Sequence, residues 1–205
     1  MKPVIEGPNP FSDHPTDAEH FVTTQKDRVM ADSLFSSEPV SLRAWEPDDL
    51  ELLRAMNTDV MWAHLGGPEK SAKVMARHYR YLDAVPGETR MFSIGHGRHK
   101  VGSIGYWVRR QDGEELYETG WMVLPDWQGR GLATKAARLL IGVLGEDIGK
   151  GTVHAYPSVH HPASNAVCQK AGFEWRAQMQ VEFPEGHYMD VNDWVHNIGV
   201  LSHKV

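Results

Sequence analysis

The clearest helical pattern in the chain begins in a glycine turn. Leu132, Ala136, Leu139, Leu140 and Val143 recur three or four residues apart, the period of a one-sided helix. Just upstream, residues 117–124 (Tyr-Glu-Thr-Gly-Trp-Met-Val-Leu) are dense in aromatic and β-prone side chains. They read as a buried strand that Pro125-Asp126 ends. A strand, a tight turn and a helix start therefore meet at Trp127-Gln128-Gly129-Arg130-Gly131.

The remaining pattern fits around this unit. Residues 40–45 form a short strand, and Pro47-Asp48-Asp49 opens a helix to about Asn57. Residues 59–67 make a loop or short helix carrying Trp62 and His64. Residues 68–83 are helical, with Val74, Met75, Tyr79 and Leu82 as the apolar stripe. Residues 91–96 and 101–110 make a hairpin, and Gln111-Asp112-Gly113 turns into the next strand, giving an antiparallel meander. After the central helix, residues 151–156 form a strand, which a right-handed crossover places parallel to the glycine-turn strand. Ser164 to Ala171 is a short helix stopped by Gly172, and residues 173–181 and 190–198 close the domain as strands around Pro184-Glu185-Gly186. The class is α+β, a mixed sheet with helices on its faces.

Residues 1–15 are polar and contain Pro3, Pro8, Pro10 and Pro15. Thr16-x-x-Glu19 fits a capping box, and Phe21, Val22, Val29, Met30 and Leu34 share one side of a helix ending near Ser36. Two readings stand: a dispensable tail, or a helix that packs on the domain or on a second subunit, giving a homodimer. Residues 1–38 thus form an N-terminal extension to a domain spanning 39–205.

At 205 residues with 41% hydrophobic and 23% charged side chains, the composition is that of one globular domain. A net charge of -6 and a pI near 6.0 argue against a nucleic-acid partner, which would meet a basic face. No apolar run is long enough to span a membrane, and the N-terminus lacks the apolar core of a signal peptide. Cytoplasm is the expected compartment. Cys168 is the only cysteine, so no internal disulfide forms. The 12 histidines do not suggest a metal, because the neighbours His160-His161 cannot face one ion from a regular element and no paired-ligand spacing supports them.

A glycine turn before a helix suits a phosphate. Glycines let the backbone approach the anion, and the first-turn N–H groups lack intrahelical partners. Neither the mononucleotide string Gly-x-x-x-x-Gly-Lys-Ser/Thr nor the dinucleotide string Gly-x-Gly-x-x-Gly is present,. The order Gln128-x-x-Gly131-x-Ala133 instead resembles the pyrophosphate loop of the GNAT N-acetyltransferases, Gln/Arg-x-x-Gly-x-Gly/Ala. A glycine turn that merely joins strand to helix fits the same string.

A second stretch decides between these. His161-Pro-Ala-Ser164-Asn165-Ala-Val167-Cys168-Gln-Lys-Ala-Gly172-Phe173 resembles the GNAT segment Asn-x-x-Ser-x-x-Val-x-Glu-Lys-x-Gly-Phe, in the expected order. Leu42-Arg43 with Asp49, Leu65-Gly66-Gly67-Pro68 and Val101-Gly-Ser-Ile-Gly105 are similar to the Rim-type, ribosomal-protein N-acetyltransferase branch. The resemblance covers roughly residues 39–200. It implies a mixed, mostly antiparallel sheet of six to seven strands, with helices on both faces and a parallel pair splayed at the acetyl-CoA site.

It also implies acetyl-CoA as co-substrate and a primary amine, a protein N-terminus or a small molecule, as acceptor. Backbone groups of Met122, Val123 and Leu124 would hold the pantetheine arm. Amides of Gln128, Gly129, Arg130, Gly131, Leu132, Ala133 and Thr134 would wrap the pyrophosphate, with Arg130 offsetting charge. Glu118 stands close to where many members carry a general base, although a strand carboxylate paired with a basic neighbour is the structural alternative. Ser164 matches the serine placed near the sulfur. Cys168 replaces the tyrosine acid of other branches and reads as packing, and His161 replaces the usual asparagine at a CoA or substrate contact. A GNAT-fold module that binds acyl-CoA without turning it over is the alternative to an enzyme.

Overall fold

The computed structural model describes residues 38–111, 114–182, 186 and 188–199. Residues 1–37 of the extension read over 1–38, and the turn residues Asp112, Gly113, Pro184 and Glu185, lie outside the described residues. Seven strands form one sheet in the order β1-β2-β3-β4-β5-β7-β6: β1 (Val40–Ala44), β2 (Thr89–His96), β3 (His99–Gln111), β4 (Glu114–Val123), β5 (Gly151–Ala155), β6 (Glu174–Glu182) and β7 (Tyr188–Ile198). Every pairing is antiparallel except β4 with β5. The meander of β2, β3 and β4 is as the turn residues indicate. The order at the far edge is not legible in the pattern: β7 inserts between β5 and β6.

Among the described residues four α-helices flank the sheet. A 3-10 turn (Pro47–Asp49) runs into α1 (Leu50–Ala55), followed by α2 (Ser71–Leu82), α3 (Leu132–Ile148) and α4 (Pro162–Ala171). The main core lies between one sheet face and α3, where Leu132, Ala136, Ala137, Leu140 and Leu144 are buried against Ile94, Ile104, Tyr106 and Val153. Ala136 and Ala137 leave room for the helix axis to approach the sheet. Leu140 is 2% exposed, and burying such a side chain contributes roughly 1.5–3 kcal/mol. A second core under α1 and α2 gathers Trp45, Leu52, Leu53, Met56, Val74 and Met91.

Two expected core positions turn outward. Leu139 is 42% exposed and Tyr79 59%. On α3 the buried stripe follows the four-residue steps 132, 136, 140, 144, which rotates Leu139 off the contact. On α2 the place of Tyr79 is taken by His78, whose Nδ1 accepts the Trp45 indole N–H at 3.1 Å. A buried histidine with a partner outcompetes a tyrosine here because the polar atom is satisfied.

Candidate functional site

The site begins where the sheet comes apart. β4 and β5 pair at only two positions, Tyr117 with Val153 and Glu118 with His154, although β4 continues to Val123. Beyond Glu118 the two strands diverge, and the gap is lined by residues 119–123 on one side and 155–158 on the other. The Leu124 N–H donates to the Val101 carbonyl on β3 at 2.9 Å. Antiparallel pairing alternates the direction of the backbone groups. Met122 and Leu124 therefore turn theirs toward β3, and Trp121 and Val123 present theirs to the gap. Of the three residues expected to offer backbone groups there, only Val123 faces it, and Trp121 joins it. Close approach of β3 fixes this edge: a Cβ on Gly102 would lie 2.2 Å from the Met122 carbonyl oxygen.

The glycine loop closes one end of the gap. After a 3-10 turn at Pro125–Trp127, Gly129 and Gly131 adopt φ of 74° and 73°, a region costly for residues with a Cβ. Gly131 is the N-cap of α3 and no side chain caps that helix. The first intrahelical bond runs from the Lys135 N–H to the Gly131 carbonyl, leaving the first-turn N–H groups of Leu132, Ala133 and Thr134 directed at the loop mouth. A Cβ on Gly129 or Gly131 would meet nothing within 4 Å, so the space over the loop is open. Gln128 folds back, its Nε2 donating to the Val123 carbonyl at 2.8 Å. This satisfies one acceptor left exposed by the splay. The Arg130 guanidinium lies over the Trp127 ring, 5.2 Å from its centre.

The opposite wall is the start of α4. His161 is its N-cap: Nδ1 accepts the Ser164 N–H at 2.9 Å. Pro162 at the first helical position has no N–H to satisfy. His161, where the resembling segment has asparagine, thus serves here as a helix cap. Its imidazole packs edge-on to His64 of the α1–α2 connection, centres 4.5 Å apart, so the two sides of the cleft touch there. Burial, and then His64, hold the His161 pKa below the usual imidazole value. Ser164 is half-buried on this wall. Asn165 anchors it: its amide donates to the Ser158 and His161 carbonyls, and its oxygen accepts from Asn192 and the Trp194 indole. Cys168 is fully buried in the main core. Burial pushes its thiol up to about 12, so it packs as a neutral group.

The other side of the splay carries the charged groups. Glu118, at the fork, is paired with Arg109 of β3 at 2.7 Å, with side-chain exposures of 18% and 49%. Burial raises the carboxyl pKa above the ordinary value, against the pull of Arg109 and of the Trp107 indole. Beside it on β5, the His154 Nδ1 and Asp193 Oδ1 of β7 lie 2.7 Å apart, both buried. Tyr156 stacks on His154 at 5.7 Å, and its phenol is pushed up to about 12 by burial and then by the Asp193 and Glu118 charges. Arg109 and Asp193 cannot be singled out from the sequence, because their partners stand 9 and 39 residues away. A polar residue inside a strand pattern is the one signal that each carries.

Loop, fork and walls line an open cleft of about 1530 Å³ that includes Glu118, Gln128, Gly131, His161 and Ser164. Among the described residues no helix is long and apolar enough to cross a membrane. Among solved structures, an aminoglycoside acetyltransferase, AAC(6')-Ib, in complex with coenzyme A superposes with a TM-score of 0.64 at 19% identity, over 78% of this chain and 95% of that one. A Salmonella typhimurium acetyltransferase that modifies the N-terminal serine of a 50S ribosomal subunit protein superposes at 0.65 and 20% identity, over 80% and 97%. Spermidine N-acetyltransferase from Vibrio cholerae, in complex with CoA and spermine, superposes at 0.64 and 18% identity, over 77% and 95%. These likenesses show a shared fold, and no curated protein sequence matches the chain. The family profile described as "Acetyltransferase (GNAT) domain" matches residues 40–174. The chain therefore belongs to the GNAT acetyltransferase family, N-acetyltransferases that draw their acetyl group from acetyl-CoA.

Proposed function

We propose that the chain transfers the acetyl group directly from acetyl-CoA to a primary amine, with a protein N-terminus or a small-molecule amine as acceptor. The observation that carries this reading is the two-residue pairing of β4 with β5, which opens a slot between the uncapped start of α3 and the Glu118 carboxylate. The pyrophosphate would sit on the Gly129–Gly131 turn and the first amides of α3, where backbone donors and the helix dipole favour an anion. The pantetheine arm would run along the Trp121 and Val123 edge toward the fork.

At the fork the amine lone pair attacks the thioester carbonyl, the C–S bond breaks, and the amine's proton must leave. Glu118, ionised, would accept it directly or through water. The need is modest for an α-amine, whose reference pKa of about 8 leaves roughly a tenth neutral at pH 7. A lysine amine near 10.4 costs roughly 3 kcal/mol more to deprotonate. Ser164 would hydrogen-bond the departing sulfur, since Cys168 is buried outside the cleft lining.

One observation favours the second reading, a domain that binds acyl-CoA without turnover: Arg109 already holds the Glu118 carboxylate. Free-thiol release measured with acetyl-CoA and a panel of primary amines separates the two. Amine-dependent release is expected. Calorimetric binding of acetyl-CoA with no release for any amine would leave the binding module as the function.

A further inference from the structure

Which amine arrives is written in the lining beyond Glu118. Strand register places Glu118, His154 and Asp193 on one sheet face. The same face continues through Val191 and Met189 of β7 to Met179 and Val181 of β6, because Met179 pairs with Val191 and Val181 with Met189. On the other flank Trp107 is the direct cross-strand neighbour of Glu118. A small polar cluster, Glu118 with Arg109 and His154 with Asp193, thus lies between an indole and an apolar wall. Met179 keeps 38% of its surface exposed, so that wall is unfilled.

Two further observations sharpen this. Six of the seven methionines among the described residues line the cleft, Met75 being the exception. Unbranched, polarizable side chains adapt to apolar bodies of varied shape. The charges lining the cleft cancel: Glu69, Asp83, Glu118 and Glu182 are matched by Arg77, Arg80, Arg109 and Lys170. Arg77 grips Glu69 through two bonds of 2.6 and 2.8 Å, and Arg109 holds Glu118. Arg80 has no carboxylate within ion-pair distance among the described residues. An acceptor bearing several ammonium groups would leave water without an excess of acid to receive it, beside three guanidiniums.

We infer that the acceptor is a singly charged primary amine carried on an apolar body, either an aralkylamine or a peptide N-terminus followed by large apolar residues, and that polycations are poor acceptors. The inference rests on the amine-acetylation reading, and its test is built so that the two can fail separately. The full chain, loaded with CoA, is titrated by calorimetry with 2-phenylethylamine, a free Met-Leu-Phe peptide, spermidine and kanamycin, and free-thiol release is followed with acetyl-CoA and the same four. At least tenfold tighter binding of the phenylethylamine or the peptide than of either polycation is expected, and their ratio identifies the natural carrier. Equal or tighter binding of spermidine or kanamycin overturns the inference, whether or not transfer occurs. The expected binding order with no thiol released supports the inference and sinks acetyl transfer.

A paired substitution tests the wall itself. Met179→Gln with Met189→Gln changes two side chains that are not fully buried, so the fold should persist. It should raise KM for the better apolar acceptor five- to tenfold while the KM for acetyl-CoA stays put. An unmoved acceptor KM, or equal rises in both, overturns the assignment.

Discussion

Substituting Gly131 separates what the glycine loop does for the backbone from what it does for a ligand. At φ 73° an alanine pays the left-handed penalty of about 1–2 kcal/mol. Its Cβ meets nothing within 4 Å, so no clash adds to that cost. In a domain of this size each kcal/mol moves the thermal midpoint by about 2–4 °C, so Gly131→Ala should melt about 2–8 °C lower. Its affinity for CoA should fall only modestly, because the first-turn N–H groups remain. Gly131→Glu carries the same strain and adds a carboxylate facing the open space. For unit charges about 5 Å apart the repulsion is about 1 kcal/mol at a dielectric of 80 and about 3 kcal/mol at 20. The Glu variant should therefore bind CoA roughly 5- to 150-fold more weakly than the Ala variant at equal midpoint. Calorimetry on both variants, with melting as the control, is the assay. If Glu and Ala bind CoA alike, no pyrophosphate lies over Gly131.

The fork and its surroundings give further tests. Glu118→Gln should lower the rate most near pH 6–7, where the amine is mainly protonated, with the loss shrinking toward the amine's own pKa; a wild-type profile removes the base assignment. Arg109 pulls the Glu118 carboxyl down against burial, so Arg109→Ala raises it further. A larger protonated fraction at a given pH then moves the acid-side fall of kcat/KM to higher pH, and an unmoved limb contradicts the assignment. Cys168→Ala should leave kcat unchanged, because the buried thiol, pushed up to about 12, stays protonated and outside the cleft lining; a kcat loss at constant acetyl-CoA KM would make it the leaving-group acid. Gly102→Ala places a Cβ 2.2 Å from the Met122 oxygen, forcing β3 from β4 at a cost of about 1–3 kcal/mol. It should weaken CoA binding along with stability, and a variant that melts like wild type refutes the close packing.

Local features of the site were legible because they are written within a few residues of one another. Gln128, Gly129 and Gly131 between a β-prone run and a helical stripe are enough to place the loop, and His161 through Gly172 enough to place α4. Features set by register were not. Which backbone groups of residues 121–124 face the gap depends on the alternation imposed by β3, invisible until Leu124 is seen bonded to Val101. The Arg109 clamp on Glu118 needs the β3–β4 pairing, and the His154–Asp193 contact needs β7 beside β5. Exposure of Leu139 and Tyr79 shows the same limit on helices: periodicity finds the apolar arc but not which edge of it the sheet covers.

Viewed as a mechanical object, the sheet is two plates, β1 to β4 and β5-β7-β6, riveted at Tyr117–Val153 and Glu118–His154. A molecule bonded along the open edge of one plate and wedged against the other acts as a third rivet. Bound ligand at about a hundred times its Kd adds about 2.7 kcal/mol to the folded state, and in this architecture the gain falls on the weakest line. Amide exchange in residues 119–123 and 151–155 should slow first when CoA is added, and nicking by proteases should retreat from the same line. The lifetime of the protein would then follow the supply of its own acetyl donor.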